Sequence, residues 1–334
     1  MALNIAYTKA RFHRRCFACL LDFFILLLVF FASFIGARAI VQATPSYQEK
    51  DNALLTIRAE SGLYHNYVDS KRSIDIVSYI NEEGFDGYNK WKRANDAINT
   101  FIAYTKDHGL ADSYAKVTKS YDDYRLDPKR TYKDVAMFIK NEQGEIVENP
   151  AFIEKSTLTI RYEQAYAPFI DFYLQAYLVT EIPNYNELVH YQSNMLFFAE
   201  IIPAYAFSGI IVYLVPVFIF RRGRMTFGKR LYNIATLDSR LLVPKAGRTF
   251  ARFAIFYFAE FLLTPFTFGV PLIVSFSMMA FTKNKQSFPD YMLKLVEVDC
   301  VGTKVYFDKA EISVNDIPGM GKPLDFKMEQ RTLS

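Results

Sequence analysis

The sequence predicts a mainly α, polytopic helical membrane protein with a mostly helical extracytoplasmic domain inserted between its first two membrane spans. Hydrophobic residues make up 51% of the 334 residues, and charged residues make up only 22%. Three long apolar blocks, residues 16–41, 196–220 and 250–281, are separated by polar segments. Basic residues concentrate in the segments that flank these blocks, as they do on the cytoplasmic side of membranes.

The first block follows an amino-terminal segment, residues 1–15, that holds four basic residues and no acidic one. The positive-inside rule therefore predicts a cytoplasmic amino terminus. The block exceeds the ~20 residues that cross a hydrocarbon core, so residues 1–41 are predicted to form a terminus and a first span. A cleaved signal peptide is the alternative, with a cleavage site near Gly36–Ala39. Asp22 within the block and the later apolar blocks favour an uncleaved anchor.

Asp22 is an acidic residue inside the first apolar block, seven residues after Arg15. A charge at membrane depth costs at least ~2.5–3.5 kcal/mol, so such a residue faces protein or water and is a functional candidate. Seven residues are almost two helical turns, which puts Arg15 and Asp22 on one face, roughly 10 Å apart along the axis. Each is therefore expected to meet a partner on another helix.

Residues 42–195 form the polar region that is predicted to face outside. Its apolar residues recur at three and four positions, as in the segment 97–104, which predicts amphipathic helices. A turn signal at Asn141–Glu145 lies between predicted short strands at residues 135–139 and 146–147. The region is long enough for its own core. It contains none of the three cysteines, which excludes an internal disulfide.

Residues 196–298 form the remaining membrane region. The loop at residues 221–249 carries eight basic residues and one acidic residue. This charge predicts that the loop lies on the cytoplasmic side of the membrane and favours its contact with anionic lipid headgroups. The third apolar block would measure roughly 48 Å as a straight helix, well beyond a ~30 Å core. Proline and glycine interrupt it at residues 264–271. It is therefore either one kinked, tilted span or two half-length helices that enter and return.

The carboxyl-terminal tail, residues 299–334, begins with an alternation of apolar and polar residues through Lys304–Phe307. This alternation predicts a short strand. Proline and glycine then recur, from Pro318 to Pro323. The remainder of the tail is expected to be irregular.

Three motifs follow one another in the membrane regions: Arg15-x-x-Ala-x-x-x-Asp22, Thr226-x-Gly228-Lys229-Arg-Leu and Ser287-Phe-Pro-Asp290. In these motifs the chain resembles the RDD family of bacterial membrane proteins, named for one arginine and two aspartates. The resemblance covers residues 10–41 and 196–298. A histidine commonly precedes the second aspartate, whereas this chain has Pro289, so a role that needs the histidine is in doubt. The family is mostly of unknown function, and the resemblance implies cation/proton exchange, as suggested for some members.

Three acidic residues are predicted to lie within the membrane: Asp22 near the inner mouth, Glu260 near mid-membrane and Glu200 near the outer face. Such a series suits a cation or proton path, because each carboxylate alternates between a charged and a protonated form. The broken third block resembles the interrupted helices of transporters. For Glu200, contact with headgroup water is the simpler interpretation. For Asp22, the alternative is an ion pair with Arg252 or Lys229 that locks the helices together.

The sequence offers no recognisable enzyme site. Gly223–Arg230 resembles a phosphate-binding loop but ends in arginine instead of serine or threonine, and an apolar span precedes it instead of a strand. We find no catalytic triad, metal cluster or dinucleotide fingerprint, so no enzyme activity, cofactor or metal is expected. The basic residues flank membrane segments, which makes a nucleic-acid partner unnecessary.

The first functional hypothesis is a multi-pass cell-membrane transporter, or transporter subunit, for a proton or monovalent cation. Asp22 would titrate, Glu260 would relay and Arg15 would gate the cytoplasmic side. The alternative is a non-catalytic membrane scaffold or sensor, whose outer helical region binds an envelope protein partner. In that case Arg15, Asp22 and Asp290 would be structural. In both hypotheses the lipid bilayer is a partner.

Overall fold

A computed structural model describes residues 7–67, 72–282, 285–301, 304–308 and 311. The helices are α1 (Phe12–Gln42), α2 (Pro45–Glu60), α3 (Ile76–Glu82), α4 (Gly87–His108), α5 (Ser113–Arg125), α6 (Pro150–Lys155), α7 (Leu158–Arg161 continuing to Gln175–Glu181), α8 (Tyr185–Ile219), α9 (Phe227–Leu231), α10 (Ala246–Ala254 continuing through Ile255–Phe261), α11 (Val270–Phe281) and α12 (Phe288–Met292). The strands are β1 (Thr8–Lys9), β2 (Tyr64–Tyr67), β3 (Arg72–Asp75), β4 (Thr131–Tyr132), β5 (Val135–Ala136), β6 (Phe138–Lys140), β7 (Ile146–Glu148), β8 (Ile234–Leu237) and β9 (Val296–Asp299). The fold is mainly α, as predicted.

The chain divides into two compact units. The terminal unit comprises Met1–Ala39 together with Phe197–Ser334, and the central unit comprises Ile40–Leu196. The side of the membrane that each unit faces stays a prediction.

The central unit has a hydrophobic core of its own, built mainly between α4 and α7. The Asp86 side chain caps α4 by accepting a hydrogen bond from the Asn89 amide, 2.8 Å away. The apolar face of α4 then buries Ile98 and Phe101 against residues of α7 such as Phe169. The predicted hairpin is confirmed: β6 and β7 pair with Ile139 opposite Val147, across a turn that contains Gly144.

Two helices of the chain, α1 and α8, are long and apolar enough to cross a membrane. Large apolar side chains of α1 are exposed, including Phe24 and Ile35 at 60% and 67%. A soluble protein would bury such side chains, so this surface suits contact with lipid. The helix α8 begins at Tyr185, eleven residues before the predicted span, because the polar residues ahead of the apolar block continue the same helix. Two π-helical segments, Met195–Ile201 and Ile210–Leu214, interrupt its regular geometry.

The third apolar block is broken, as its prolines and glycine predict. The helix α10 ends at Phe261, and α11 begins at Val270 after a turn in which Phe268 and Gly269 have φ of +50° and +81°. Arg252 on α10 contacts Asp290, which follows α11, at 2.5 Å. Because residues from both ends of the block meet, the structure has the returning hairpin instead of one kinked span. Whether the hairpin enters the membrane stays a prediction.

A three-stranded antiparallel sheet, in the order β1-β9-β8, joins segments far apart in the chain. Val298 of β9 lies opposite Lys9 of β1 and Ala235 of β8. The predicted strand at Lys304–Phe307 is wrong for the described residues 304–308, which form no strand. The Lys304 carbonyl instead accepts a hydrogen bond from the Tyr7 hydroxyl. Residues 309–310 and 312–334, the rest of the predicted tail, lie outside the described residues.

The hairpin predicts that Cys300, just after β9, is on the cytoplasmic side with the amino terminus. In a Cys16→Ser/Cys19→Ser background, a membrane-impermeant maleimide should leave Cys300 unlabelled in spheroplasts and label it after permeabilisation. Burial raises the pKa of the Cys300 thiol, so labelling should be carried out at about pH 8.5. As a control, a cysteine at the exposed Glu154 should be labelled in spheroplasts. Labelling of Cys300 in spheroplasts would contradict the hairpin.

Candidate functional site

Glu297 on β9 is the meeting point of three basic side chains from three helices. Its carboxylate accepts hydrogen bonds from Arg15 Nε at 2.6 Å, from Arg252 Nη2 at 3.2 Å and from Lys229 Nζ. These donors lie on α1, α10 and α9, and the Glu297 side chain is only 6% exposed. A buried charge is tolerated when it is paired and hydrogen-bonded, which Glu297 is on several sides.

Asp290 on α12 extends this arrangement. It accepts hydrogen bonds from Arg252 Nε at 2.5 Å and Nη2 at 3.1 Å, a two-pronged contact suited to the planar guanidinium group. Ser287 Oγ adds a third donor at 2.7 Å. Arg252 therefore bridges Asp290 and Glu297. We call Arg15, Lys229, Arg252, Asp290 and Glu297 the ion cluster.

Asp22 on α1 is held by a hydroxyl group and a backbone amide. Thr226 Oγ1 donates to one carboxylate oxygen at 2.5 Å, and the Gly228 amide donates to the other at 2.7 Å. Thr226 also caps α9, because its hydroxyl oxygen accepts a hydrogen bond from the Lys229 amide. The expected alternative, a direct ion pair of Asp22 with Arg252 or Lys229, is wrong, because both cations bind Glu297.

Gly228 permits the close approach of α9 to α1. A Cβ atom at this position would lie 2.0 Å from the Ala18 carbonyl oxygen and 3.0 Å from Cγ of Asp22. Both neighbours are fixed, one as backbone and the other as a buried side chain. The amide of Gly228 can therefore reach Asp22 only because this residue has no side chain.

The electrostatics of the ion cluster favour an ionised Glu297. Burial alone would raise the pKa of this carboxyl group. The cations Arg15, Lys229 and Arg252 outweigh burial and hold the pKa of Glu297 well below its ordinary value. The negative charge is therefore part of the folded structure at neutral pH.

Glu260 lacks such compensation. It is 3% exposed, and its Oε1 atom has no hydrogen-bond partner in the part of the chain that the structure describes. It lies in the π-helical segment Ile255–Phe261 of α10. Buried polar groups normally have partners, and π-helical turns are frequent at functional sites. Glu260 is therefore a candidate functional group distinct from the paired acids.

Reciprocal hydrogen bonds hold this segment of α10 against α8. The Tyr205 hydroxyl donates to the Phe261 carbonyl, and the Tyr257 hydroxyl donates to the Ala206 carbonyl, each at 2.8 Å. The rings of Tyr205 and Phe261 stack with centroids 4.2 Å apart. Gly209 makes room for this contact, because a Cβ there would lie 2.4 Å from the Phe261 ring. Glu260 is therefore fixed within a rigid pair of helices.

Glu200 on α8 is also buried, at 2% exposed, and its Oε2 atom lacks a partner among the described residues. Contact with headgroup water, the simpler expectation for Glu200, finds no support in this burial. No hydrogen bond or ion pair within the described residues joins Glu200 to Glu260 or to the ion cluster.

The predicted motif residues come together in the structure. Arg15, Lys229 and Asp290 belong to the ion cluster, and Thr226 and Gly228 bind Asp22. The predicted partner of Arg15 on another helix is instead a residue of a strand, Glu297, which our sequence reasoning missed. The sequence carries a signal for these contacts: Glu297 and Asp299 are two positions apart, so on a strand both side chains point to the same face. In the structure, Glu297 binds Arg15 and Asp299 binds Arg14.

Among the described residues, no group of three or more histidine, cysteine, aspartate or glutamate side chains is placed to hold a metal ion. In a comparison with protein families, the RDD family model matches residues 166–294. This range includes Thr226, Gly228, Glu260 and Asp290 but not α1, whose Arg15 and Asp22 join the site through the contacts described above. No curated protein and no solved structure matches the chain.

Replacing Gly228 by alanine should destabilise the terminal unit. The added methyl group meets the Ala18 backbone, so α9 must move and Asp22 loses its amide donor, at a cost of about 3 kcal/mol or more. The expected result is a large loss of folded protein, measured as monodisperse yield after detergent extraction. Gly247→Ala is the matched control, because no atom lies within 4 Å of a Cβ there. Equal yields of the two variants would contradict the proposed close approach.

Glu297 should make the stability of the protein fall in acid. Because its folded-state pKa is depressed, its contribution is complete above the unfolded-state pKa of about 4.3 and is lost as the pH falls toward the folded-state pKa. Thermal unfolding in detergent at pH 7 and pH 3 should show this loss in the wild type, because pH 3 lies well below the unfolded-state pKa. Glu297→Gln should be less stable at pH 7 by about 3 kcal/mol and should lose less on acidification. If the stability of this variant depends on pH as the wild type does, Glu297 is not the cause of the acid sensitivity.

Proposed function

We propose that this chain, whose residues 166–294 match the RDD family model, is a multi-pass membrane protein that moves a proton or a monovalent cation in step with the titration of Glu260. The observation that carries this proposal is the burial of Glu260 with one carboxyl oxygen unpartnered among the described residues. The amino terminus and the ion cluster would lie on the cytoplasmic side.

The contrast between Glu260 and the paired acids supports this assignment. An isolated charged carboxylate in an apolar environment is so unfavourable that the group takes up a proton or a cation instead. Glu297 and Asp290 have permanent cationic partners, and Asp22 has two hydrogen-bond donors. Protein groups therefore already satisfy the carboxylates of these three acids, whereas the Glu260 carboxylate needs a proton or a cation. The titrating role first expected for Asp22 therefore passes to Glu260, and Asp22 takes a structural role.

The broken third block supports an ion path. At 1.5 Å per residue the twelve residues of α11 measure about 18 Å, roughly half of a bilayer core. Interrupted helices of this kind carry ion and substrate sites in transporters. Glu260 lies close to the interruption, two residues before Leu262. In this proposal Glu200 is a second carboxylate along the ion path.

Arg15 fits the proposed role of a cytoplasmic gate. It is 3% exposed and binds both Glu297 and the Lys285 carbonyl. It thereby ties α1 to the segments that follow the hairpin. An ion that leaves toward the cytoplasm would pass this end of the terminal unit, and the contacts of Arg15 would then have to loosen.

A non-transporting scaffold is the second candidate. It is favoured by the hydrogen bonds that Asp22 and Asp290 accept from other parts of the protein, because these contacts give the two motif aspartates a structural role independent of any ion. The central unit also carries a groove of about 630 Å³ between α5 and α7, lined by Lys116, Lys119, Tyr124, Tyr173 and Tyr177 among others. In this second proposal, that groove would receive a segment of an envelope protein.

Flux measurements on the purified protein in lipid vesicles distinguish the two candidates. Glu260→Gln should lower pH-gradient-driven flux of protons or alkali cations at least tenfold. It should not lower the unfolding temperature, because a neutral amide is cheaper to bury than an unpaired charge. Asp22→Ala should instead lower the yield of folded protein, because it leaves Thr226 and Gly228 without their acceptor.

Glu154→Gln, at an exposed position in the central unit, is the control and should retain wild-type flux and stability. Wild-type flux in Glu260→Gln would exclude Glu260 as the titrating group. Absence of flux in the wild type, for protons and for each alkali cation, would favour the scaffold.

A further inference from the structure

Two arginines after α8 have no acidic partner in the part of the chain that the structure describes. Arg221 and Arg224 lie in the turn that connects α8 with α9, and the side chain of neither forms an ion pair or a hydrogen bond with a described residue. Arg222 between them binds Glu311 at 3.0 Å. The basic side chains of the ion cluster likewise all bind carboxylates. Arg221 and Arg224 therefore differ from these neighbours in lacking an anion.

Arg224 shows where such an anion would bind. Its Nε atom is buried and donates to no described group, although the residue as a whole is partly exposed. Buried polar groups normally have partners. Nε and the adjacent Nη2 form the edge through which a guanidinium group binds two oxygens of one phosphate or carboxylate. The unmet donor is therefore part of an edge that suits an oxyanion.

The backbone holds Arg224 in a conformation that a residue with a side chain adopts rarely. Its φ is +48°, in the left-handed region. The carbonyl of Gly223 before it accepts a hydrogen bond from the Thr236 amide of β8 at 2.8 Å, and Met225 after it is buried. Both neighbours are fixed, so the strain at Arg224 persists in the folded protein. Strain of this kind occurs at ligand-binding positions, where the side chain has a role besides stability.

The surroundings of Arg224 match the surface of a membrane. Its guanidinium carbon lies 5.5 Å from the centroid of the Phe218 ring, in the last turn of α8. The helix α8 is long and apolar enough to cross a membrane. Ile219 before the turn and Leu231 at the end of α9 are exposed. Arginine beside aromatic and exposed apolar side chains, at the end of such a helix, is typical of the level of the lipid headgroups.

We propose that Arg221 and Arg224 form a binding site for the phosphate group of an anionic lipid. Arg224 supplies the two-pronged contact, and Arg221 adds a second positive charge. The two residues are three positions apart, so their Cα atoms are separated by at most about 11 Å, and both long side chains can reach one phosphate. Phosphate is the oxyanion that a bilayer presents at the level of its headgroups. Neither residue belongs to the proposed ion path, and the site can bind lipid whether or not the protein moves an ion.

A defined site differs from general attraction by the basic loop. Attraction between the loop at residues 221–249 and anionic headgroups depends on total charge, so each basic residue would contribute about equally. A defined site depends on particular side chains. Arg240, which is exposed in the same loop, distinguishes the two cases, because its replacement by glutamine removes the same charge.

Lipid titration of the full-length protein in a neutral detergent tests the site. Dioleoylphosphatidylglycerol is added in steps, bound lipid is counted by native mass spectrometry, and the unfolding temperature is recorded. The wild type should bind this lipid saturably and should unfold at a higher temperature with it than without it. In Arg224→Gly the apparent Kd should rise about tenfold or more, because a charge-assisted, two-pronged contact is lost. Arg221→Gln should weaken binding in the same direction, and Arg240→Gln should bind the lipid as the wild type does.

The lipid-free proteins separate a loss of ligand from a loss of fold. Glycine adopts a φ of +48° without strain, and this relief offsets the added freedom of the unfolded chain. Lipid-free Arg224→Gly should therefore unfold at about the wild-type temperature. Arg224→Lys keeps the charge but lacks the planar fork, and it should restore part of the affinity.

Two further titrations identify the source of the phosphate. Dioleoylphosphatidylcholine carries the same phosphate next to a permanent cation, and it should bind more weakly than dioleoylphosphatidylglycerol. Inorganic phosphate lacks the acyl chains that would place the group beside Phe218, so it should compete only weakly with the anionic lipid.

Three results would overturn the site: an unchanged affinity in Arg224→Gly, an equal loss of affinity in Arg240→Gln, or a lipid-free Arg224→Gly that unfolds well below the wild type. Saturation by inorganic phosphate at the affinity of dioleoylphosphatidylglycerol, with the same dependence on Arg224, would overturn the assignment to a lipid. None of these readouts requires flux. A protein without flux that binds the lipid through Arg224 would refute the transport proposal and retain the lipid site.

Discussion

The terminal unit depends on one constraint: a charge removed from water must be compensated by its neighbours. Glu297 meets this constraint through Arg15, Lys229 and Arg252. Each of these cations comes from a different helix and would itself be unfavourable if buried alone. The compensation therefore works in both directions, and it joins α1, α9 and α10 to strand β9. Removing any one of these charges leaves the others in an unfavourable environment, so the ion cluster is stable only as a set.

Glu260 departs from this rule in a region that is otherwise tightly held. The hydroxyls of Tyr205 and Tyr257 bind carbonyl groups across the contact between α8 and α10, on either side of Glu260 in the chain. The helices are therefore fixed, and relaxation of the backbone cannot relieve the cost of burying the carboxyl group. A proton or cation relieves it instead. Because the helices are held in place, Glu260 is unstable as a bare charge and is stabilised strongly when it binds a proton or a cation.

Most of the helical fold could be predicted, because apolar blocks, prolines and turn residues act locally. The break at Gly269 and the β6–β7 hairpin are examples. The start of α8 was placed too late, since polar residues such as Asn194 do not end a helix that is already formed. At the site, the motif residues were recognised, but their partners were not. Glu297 meets Arg15 across 282 positions, and one donor to Asp22 is a backbone amide, a group that every residue except proline carries.

The central unit explains how a site can be divided in the sequence and joined in space. Asp22 and Thr226 are separated by 204 positions, yet their side chains are hydrogen-bonded. The two ends of the central unit lie together: Tyr47 packs against Tyr191, and Gln192 binds Asp51. The unit also has its own core, to which the first turns of α8 contribute Tyr185 and α1 contributes no buried residue. Because its ends are close, its length adds little to the entropic cost of bringing α1 back to α9. A domain can therefore occupy this position while Asp22 keeps its hydrogen bonds with Thr226 and Gly228.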